Sequence, residues 1–455
     1  MINQSTICAI ATAQGGAIGI IRVSGPDAFV AVSSLCSVRC NAVAANTIHY
    51  THLVEYDAAS QHQNIIDEAM VSVFKAPHSY TGEDSVEISC HGSRYILNKV
   101  LELLIQHGCR MAEPGEFTQR AFLNGKMDLS QAEAVADLIA STNKATHDIA
   151  MSQLRGHFSS QLAQLREQLL KLTSLLELEL DFSDHEDLEF ADRTELSSIA
   201  NKIDKHITQL AHSFEIGNAL KQGIPVAIVG KTNVGKSTLL NRLLKDDRAI
   251  VSDIHGTTRD TIEDTMDIQG VTFRFIDTAG IRQTTDQVEQ IGIERTFQAI
   301  QKARIVLWLI DQQPSTKEIN ELTERTNNKK LIIVVNKIDK ADSNSYNLLN
   351  HPFVAISAKH GTGIETLEQA IYEAADIATL ADSDFIVTNA RHYDALTRAQ
   401  QSIQRVIDGL QMQLSGDLLS EDLRQALDTL AEITGGQITT NEVLGNIFKN
   451  FCVGK

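Results

Sequence analysis

Gly230-Lys231-Thr232-Asn233-Val234-Gly235-Lys236-Ser237 decides the fold of this chain. The apolar run Val226 to Val229 precedes it and Thr238 to Leu244 follows, giving the order strand, glycine loop, helix. Two glycines at this spacing let the backbone curl until successive N–H groups point at one phosphate, and the following helix N-terminus adds its partial positive charge. Lys236 is then expected at the β- and γ-phosphates and the Ser237 hydroxyl on Mg²⁺, with Asn233, Val234, Gly235 and Thr238 completing the cradle. The stretch predicts an α/β P-loop nucleotide domain.

Three further strand ends fix the nucleotide. Val271 to Ile276 runs into Asp277-Thr278-Ala279-Gly280, where an acid holds Mg²⁺ through water and a glycine N–H meets the γ-phosphate. Leu331 to Val335 runs into Asn336-Lys337-Ile338-Asp339. A carboxylate only accepts hydrogen bonds, so Asp339 suits the N1–H and exocyclic amine of guanine, a donor pair that adenine lacks. Phe353 to Ile356 ends in Ser357-Ala358-Lys359, a loop suited to guanine O6. Pieces arriving in this order, each at the C-terminal end of a strand, select GTP.

The rest of the chain places this domain in a larger one. At 455 residues and 43% hydrophobic content, about three domains with cores are expected. The start carries no basic, apolar leader and no window reaches membrane-spanning length, so a cytoplasmic protein is expected, with no membrane among its partners. Cys8, Cys36, Cys40, Cys90, Cys109 and Cys452 show no C-x2-C pair, which reads as reduced thiols; Cys36, Cys40 and His49 lack a fourth metal ligand. With 58 acids against 40 lysines and arginines, net charge −18, nonspecific coating of nucleic acid is excluded, and any RNA contact must be local or shared with a partner.

Residues 1–120 read as an α+β module, with strands at Thr6 to Ala11, Ile18 to Val23, Ala69 to Phe74 and Ser85 to Ser89 and a helix from Tyr95 to His107. The acid-rich loops Thr81 to Glu87 and Glu113 to Phe117 are expected as exposed turns. From Ser130 the period becomes helical. Leu162, Leu165, Leu169, Leu172, Leu175 and Leu176 bury one face. Glu177 to Glu195, with nine acids and one arginine, reads as a solvated bend before helix resumes from Leu196 to about Leu220. Helix returns at Ala390 to Leu410 and Leu418 to Ile433, so the nucleotide domain, 223–376, is read as inserted into one α-helical bundle, 121–222 and 377–455. The end, Phe451-Cys452-Val453-Gly454-Lys455, is no prenylation signal, because Gly454 is not aliphatic and Lys455 is not a usual last residue.

Together, Asp253-Ile254-His255-Gly256-Thr257-Thr258-Arg259-Asp260, Asp277 to Gly280, Phe451 to Lys455 and Ile20-Ile21-Arg22-Val23-Ser24-Gly25 resemble the bacterial tRNA modification GTPase family, MnmE (TrmE), over essentially the whole length. The resemblance implies an enzyme that, with an FAD-dependent partner subunit (MnmG, also called GidA), adds an aminomethyl or carboxymethylaminomethyl group to the wobble uridine of certain tRNAs. It implies a homodimer whose amino-terminal module binds a tetrahydrofolate one-carbon donor through Arg22, Glu87, Lys126 and Lys455, with Cys452 near the pocket as a catalytic candidate. Family members usually have proline where Ala13 stands and often where Thr232 stands, changes that loosen a turn and remove no chemical group.

Hydrolysis needs its own account. Many small GTPases place a water-orienting glutamine after Asp-x-x-Gly; here that position is Ile281, which cannot orient a nucleophile. The resemblance implies instead that Asn233, Ser252, Ile254 and Thr257 hold K⁺ when two G domains meet, and that Thr258 completes the Mg²⁺ shell. The segment Ser252, Asp253, Ile254, His255, Gly256, Thr257 and Thr258 would then touch GTP, and Glu289 would orient water. A ribosome-assembly GTPase and a nonhydrolysing nucleotide-dependent scaffold are the alternatives; the acidic total and the Cys452 to Lys455 ending weigh against the first, and potassium-dependent turnover separates out the second.

Overall fold

The structure, a computed structural model, describes residues 5–13, 15–57, 62–181, 193–245, 264–276, 298–327, 329–340, 352–376, 386–436, 444, 447–449, 451 and 454. It divides into two compact units. One comprises Met1–Ala140, Met151–Ala200 and Arg405–Lys455; the other comprises Ser141–Ala150 and Asn201–Gln404. The second is therefore inserted within the helical part of the first.

The first unit begins with β1 (Ile7–Ile10), β2 (Ile18–Ser24), α1 (Ala28–Ser33), β3 (Thr47–Asp57), β4 (His62–Phe74), β5 (Ser85–His91), α2 (Arg94–Gln106) and β6 (Arg110–Met111). Their sheet runs β3-β4-β5-β2-β1-β6, with β6 parallel to β1 and the other pairs antiparallel. Period-two alternation sets its faces. Leu53, Val71, Val73, Val86 and Ile88 point into a core closed by Val32 of α1 and by Leu97, Val100 and Leu104 of α2. A register shift between Leu53 and Val54 keeps Ile65 outward, on the exposed face with Ile48, Tyr50 and Met70. Sequence reading finds β1, β2, β5 and the end of β4 but not α1 or β3, whose mixture of His, Tyr and Thr carries no clean period.

Helices follow: α3 (Glu116–Leu123), α4 (Leu129–Ala140), α5 (Lys144–Leu154), α6 (His157–Asp181) and α7 (Arg193–Gln222). The expected stripe on α6 is present, with Leu162, Leu165, Leu169, Leu172 and Leu176 buried and Leu175 half-buried. Residue 120, the boundary expected for the first module, falls inside α3.

The inserted unit holds β7 (Ile224–Val229), α8 (Lys236–Lys245), β8 (Asp264–Ile268), β9 (Val271–Phe275), β10 (Ile305–Ile310), α9 (Thr316–Arg325), β11 (Lys330–Val335), β12 (Phe353–Ala355) and α10 (Ile364–Ala374). Its sheet runs β12-β11-β10-β7-β9-β8, parallel except for β8. Near-continuous apolar strands are what a parallel sheet covered on both faces requires. Leu239, Leu240 and Leu243 of α8 with Leu367 and Ile371 of α10 pack on one face; Ala299 and Ile300, which precede β10, pack on the other together with Ile319 of α9. All six residues of β10 are buried, and the sequence reading passed over it.

The chain returns through α11 (Ala390–Gln411) and α12 (Gly416–Thr434). In the inserted unit Ser213 Oγ accepts from Val387 N–H at 3.0 Å and Phe214 stacks on Tyr393 at 4.6 Å. In the first unit α12 packs along α6, burying Leu419, Leu423, Ala426 and Leu430. Within each unit, helical residues from before and after the nucleotide-domain sheet thus pack on each other. Among the described residues no helix is long and apolar enough to cross a membrane.

Candidate functional site

The phosphate cradle starts where β7 ends. Gly230 has φ +153°, and a Cβ there would lie 2.3 Å from Leu309 O; Gly235 has φ +103°, and a Cβ there would lie 2.4 Å from Asn336 Nδ2. Both positions therefore require glycine, one for β10 and one for the guanine motif to come close. Asn233 sits at φ +61°, a conformation asparagine tolerates better than most residues. Lys236, at the first turn of α8, folds its Nζ back to donate to Gly230 O and Lys231 O, both at 2.7 Å. Burial pulls its ammonium below the ordinary lysine value. A phosphate arriving at this turn would be met by a partly desolvated cation at the start of α8. Ser237 is half-buried beside Lys236, and Thr238 is exposed.

Three loops converge on this cradle from the same sheet edge. Buried Asn336 joins them: its Nδ2 donates to Val234 O at 2.8 Å and its Oδ1 accepts from Ala358 N–H at 3.0 Å. Lys337, at φ +64°, donates from Nζ to Asn233 O at 2.8 Å and to Asp311 Oδ2 at 2.6 Å. Asp339 accepts from Ser357 Oγ at 2.7 Å. That hydrogen bond holds its carboxyl below the usual range and so favours the ionised form. Lys359 is exposed on the same loop. Asp311, absent from the sequence reading, has a legible signal: an acid directly after the six apolar residues of β10. Ser252, Asp253, Ile254, His255, Gly256, Thr257, Thr258, Asp277, Thr278, Ala279, Gly280 and Glu289 lie outside the described residues, as do Cys452 and Lys455.

A second cluster lies in the first unit. Arg22 on β2 donates from Nε and Nη2 to Glu87 Oε1 on β5, at 2.9 and 2.8 Å, because β2 and β5 place those residues opposite each other. Its Nη1 donates to Gly454 O at 3.2 Å, and the guanidinium lies over Tyr80 and Phe117, 5.3 and 5.6 Å from their ring centroids. The structure thus brings the guanidinium of Arg22 and the carboxylate of Glu87 together. Lys126 donates to Pro77 O at 2.9 Å, at the base of the loop that carries Tyr80. Tyr80 and Phe117 escaped the sequence reading; nothing local marks them.

Around this cluster the acid-rich loops differ from the exposed turns expected. Glu116 is buried and accepts from Arg110 Nη1 at 2.8 Å and Arg120 Nη2 at 2.9 Å, while Glu83 accepts from Arg120 Nη1 at 3.0 Å. Arginines that are distant or a helical turn away made these acids internal, which loop composition alone does not disclose. Five described cysteines are buried, and burial pushes the Cys36 and Cys90 thiols up to about 11, which leaves them unreactive.

A family model described as the GTP-binding protein TrmE N-terminus matches residues 6–126, and one described as the MnmE helical domain matches residues 129–452. The tRNA modification GTPase MnmE of Phocaeicola vulgatus is 54% identical, with 100% of each chain covered. Its namesakes in Bacteroides thetaiotaomicron and Flavobacterium johnsoniae are 54% and 50% identical, again with 100% of each chain covered.

Proposed function

The chain belongs to the MnmE (TrmE) family of tRNA modification GTPases, and from that membership we propose that it hydrolyses GTP in the service of tRNA modification. The observation that carries the GTPase half is the Asn336 amide, which ties the phosphate loop at Val234 to the guanine loop at Ala358. A base and its phosphates would be gripped by one preassembled edge, with Lys236 countering phosphate charge and Asp339 reading guanine. Ser237 fits Mg²⁺ as a hydroxyl ligand beside the phosphate-binding lysine.

The finer reading is also proposed. With an FAD-dependent partner subunit, MnmG, the protein would add an aminomethyl or carboxymethylaminomethyl group to the wobble uridine of certain tRNAs, in the cytoplasm. Arg22 and Glu87 would hold a tetrahydrofolate one-carbon donor; a paired guanidinium and carboxylate suit a planar heterocycle bearing both donors and acceptors. Lys126, Lys455 and Cys452 belong to that site in this reading, and the three-part domain division, 1–120, bundle and 223–376, follows the same roles. The exposed Ile48, Tyr50, Ile65 and Met70 supply an apolar face suited to homodimerisation. Because Ile281 cannot orient water, K⁺ held by Asn233 with residues 252–257 would supply positive charge to the hydrolytic transition state, and Glu289 would position the nucleophile.

GTP turnover in KCl against NaCl at equal ionic strength tests this, alongside Asn233→Gly, which keeps the left-handed backbone and removes the side-chain oxygen. Strong K⁺ stimulation in the native protein, lost in the variant, is expected. Equal rates in the two salts would refute the cation site while leaving the GTP site standing.

A further inference from the structure

Lys231 reaches away from the loop it belongs to. Its Nζ lies 2.6 Å from Glu318 Oε1 in the first turn of α9. Glu318 is itself fixed in a capping box: its Oε2 accepts from Ser315 N–H at 2.9 Å and Ser315 Oγ at 3.0 Å, and its own N–H donates back to Ser315 Oγ. The hydrogen bond from Lys231, helped by the Ser315 N–H, holds the Glu318 carboxyl down to about 2, so the pair is ionised near neutral pH. On the other flank of the loop, Lys337 joins Asn233 O to Asp311. Positions 231 and 233 are therefore both tied to the stretch Asp311 to Glu318, which runs from the end of β10 into the first turn of α9.

Between the two ties lies a cavity of about 330 Å³ lined by Val234, Trp308, Ile310, Pro314 and Leu322 among the described residues. Packing does not fill this side of the loop, so ionic ties carry more of its placement than they would over a packed surface. Lys231 also presents the carbonyl that accepts from Lys236, the residue assigned to the phosphates.

We propose that the β10–α9 connector is a two-armed bracket for the phosphate loop, in which Lys231 and Glu318 are positioning residues that slow nucleotide release by pinning the carbonyl that orients Lys236. The proposal rests on the reading of this loop as the GTP site. Lys231 is largely exposed and Glu318 about one-third exposed, so the arm has the modest strength of an ion pair near the surface.

The experiment is the release rate of N-methylanthraniloyl-GDP from the full-length protein, in native form, Glu318→Gln, Lys231→Met and the double variant, over rising NaCl. Glutamine still serves at the third position of a capping box, so Glu318→Gln removes the tether without uncapping α9. Release about two- to fivefold faster in each single variant is expected. The double variant should be no faster than the singles, as for two ends of one contact, and the native protein's acceleration by salt should shrink in all three variants. Unchanged rates, additive effects or an undiminished salt response would overturn the bracket and leave the GTP site intact. A native chain that fails to bind the probe would overturn the GTP-site reading itself, and the bracket with it.

Discussion

Glu116 shows how a single residue's role depends on what surrounds it. Burial alone pushes its carboxyl up, yet hydrogen bonds from Arg110, the Glu113 N–H and Arg120 outweigh burial and leave it below the ordinary value of 4.5. Because the folded carboxyl titrates below its unfolded value, its contribution to stability is complete above that ordinary value and is lost as pH falls through the lower folded one. Glu116→Gln leaves two arginines facing a neutral amide in a buried site, so urea unfolding of the variant near neutral pH should show a loss of about 3 kcal/mol. The loss should narrow on acidification through the lowered folded-state value, where the native carboxyl also becomes neutral. A gap between variant and native protein that stays constant with pH would contradict this account.

At the scale of elements, α6 and α12 share one core although the nucleotide domain separates them in sequence. Leucines three and four apart fix which face of α6 is buried, and that face meets Leu419, Leu423 and Leu430 of α12. Leu169 is fully buried, so Leu169→Ala should destabilise the first unit by about 3 kcal/mol, readable as a lower midpoint in denaturant. Exposed Leu170 provides the control, since Leu170→Ala should cost little. Long periodic helices were legible in the sequence for this reason: a strict 3.6-residue stripe has one structural meaning. β3 was not, because its outward face carries Ile48 and Tyr50 where a half-buried strand is expected to be polar. β10 was marked by its unbroken apolar run, and Asp311 with it, but a short run without alternation does not declare itself strand or helix.

For the whole molecule, the far end of the chain is built into its beginning. Phe448 is buried with Leu129 and Ala132, Phe451 packs on Phe448 at 4.9 Å between ring centroids, and Gly454 lies against β1. A Cβ on Gly454, at φ +93°, would stand 2.6 Å from Ile10 O. Gly454→Ala therefore combines a left-handed alanine with a backbone clash, at a cost of about 1–3 kcal/mol to tail docking. Carboxypeptidase should release the last residues of that variant about ten times faster or more than those of the native protein. Equal release would show that the tail is not held through Gly454.

The sequence by itself determined the nucleotide domain, its preference for guanine, its insertion into a helical bundle and the family, because each is written in short-range chemistry. Glycine spacing shapes one turn, an acid or amide at a strand end meets one edge of a ligand, and helical periodicity records burial within a few residues. Tertiary structure alone decided the joining contacts: Asn336 to Val234, Lys231 to Glu318, Arg120 to Glu83, and Arg22 to Gly454 across 432 positions. Such pairs leave no local pattern. Each contributes little alone and forms only after many other contacts have met the entropy of closing the loop between its partners.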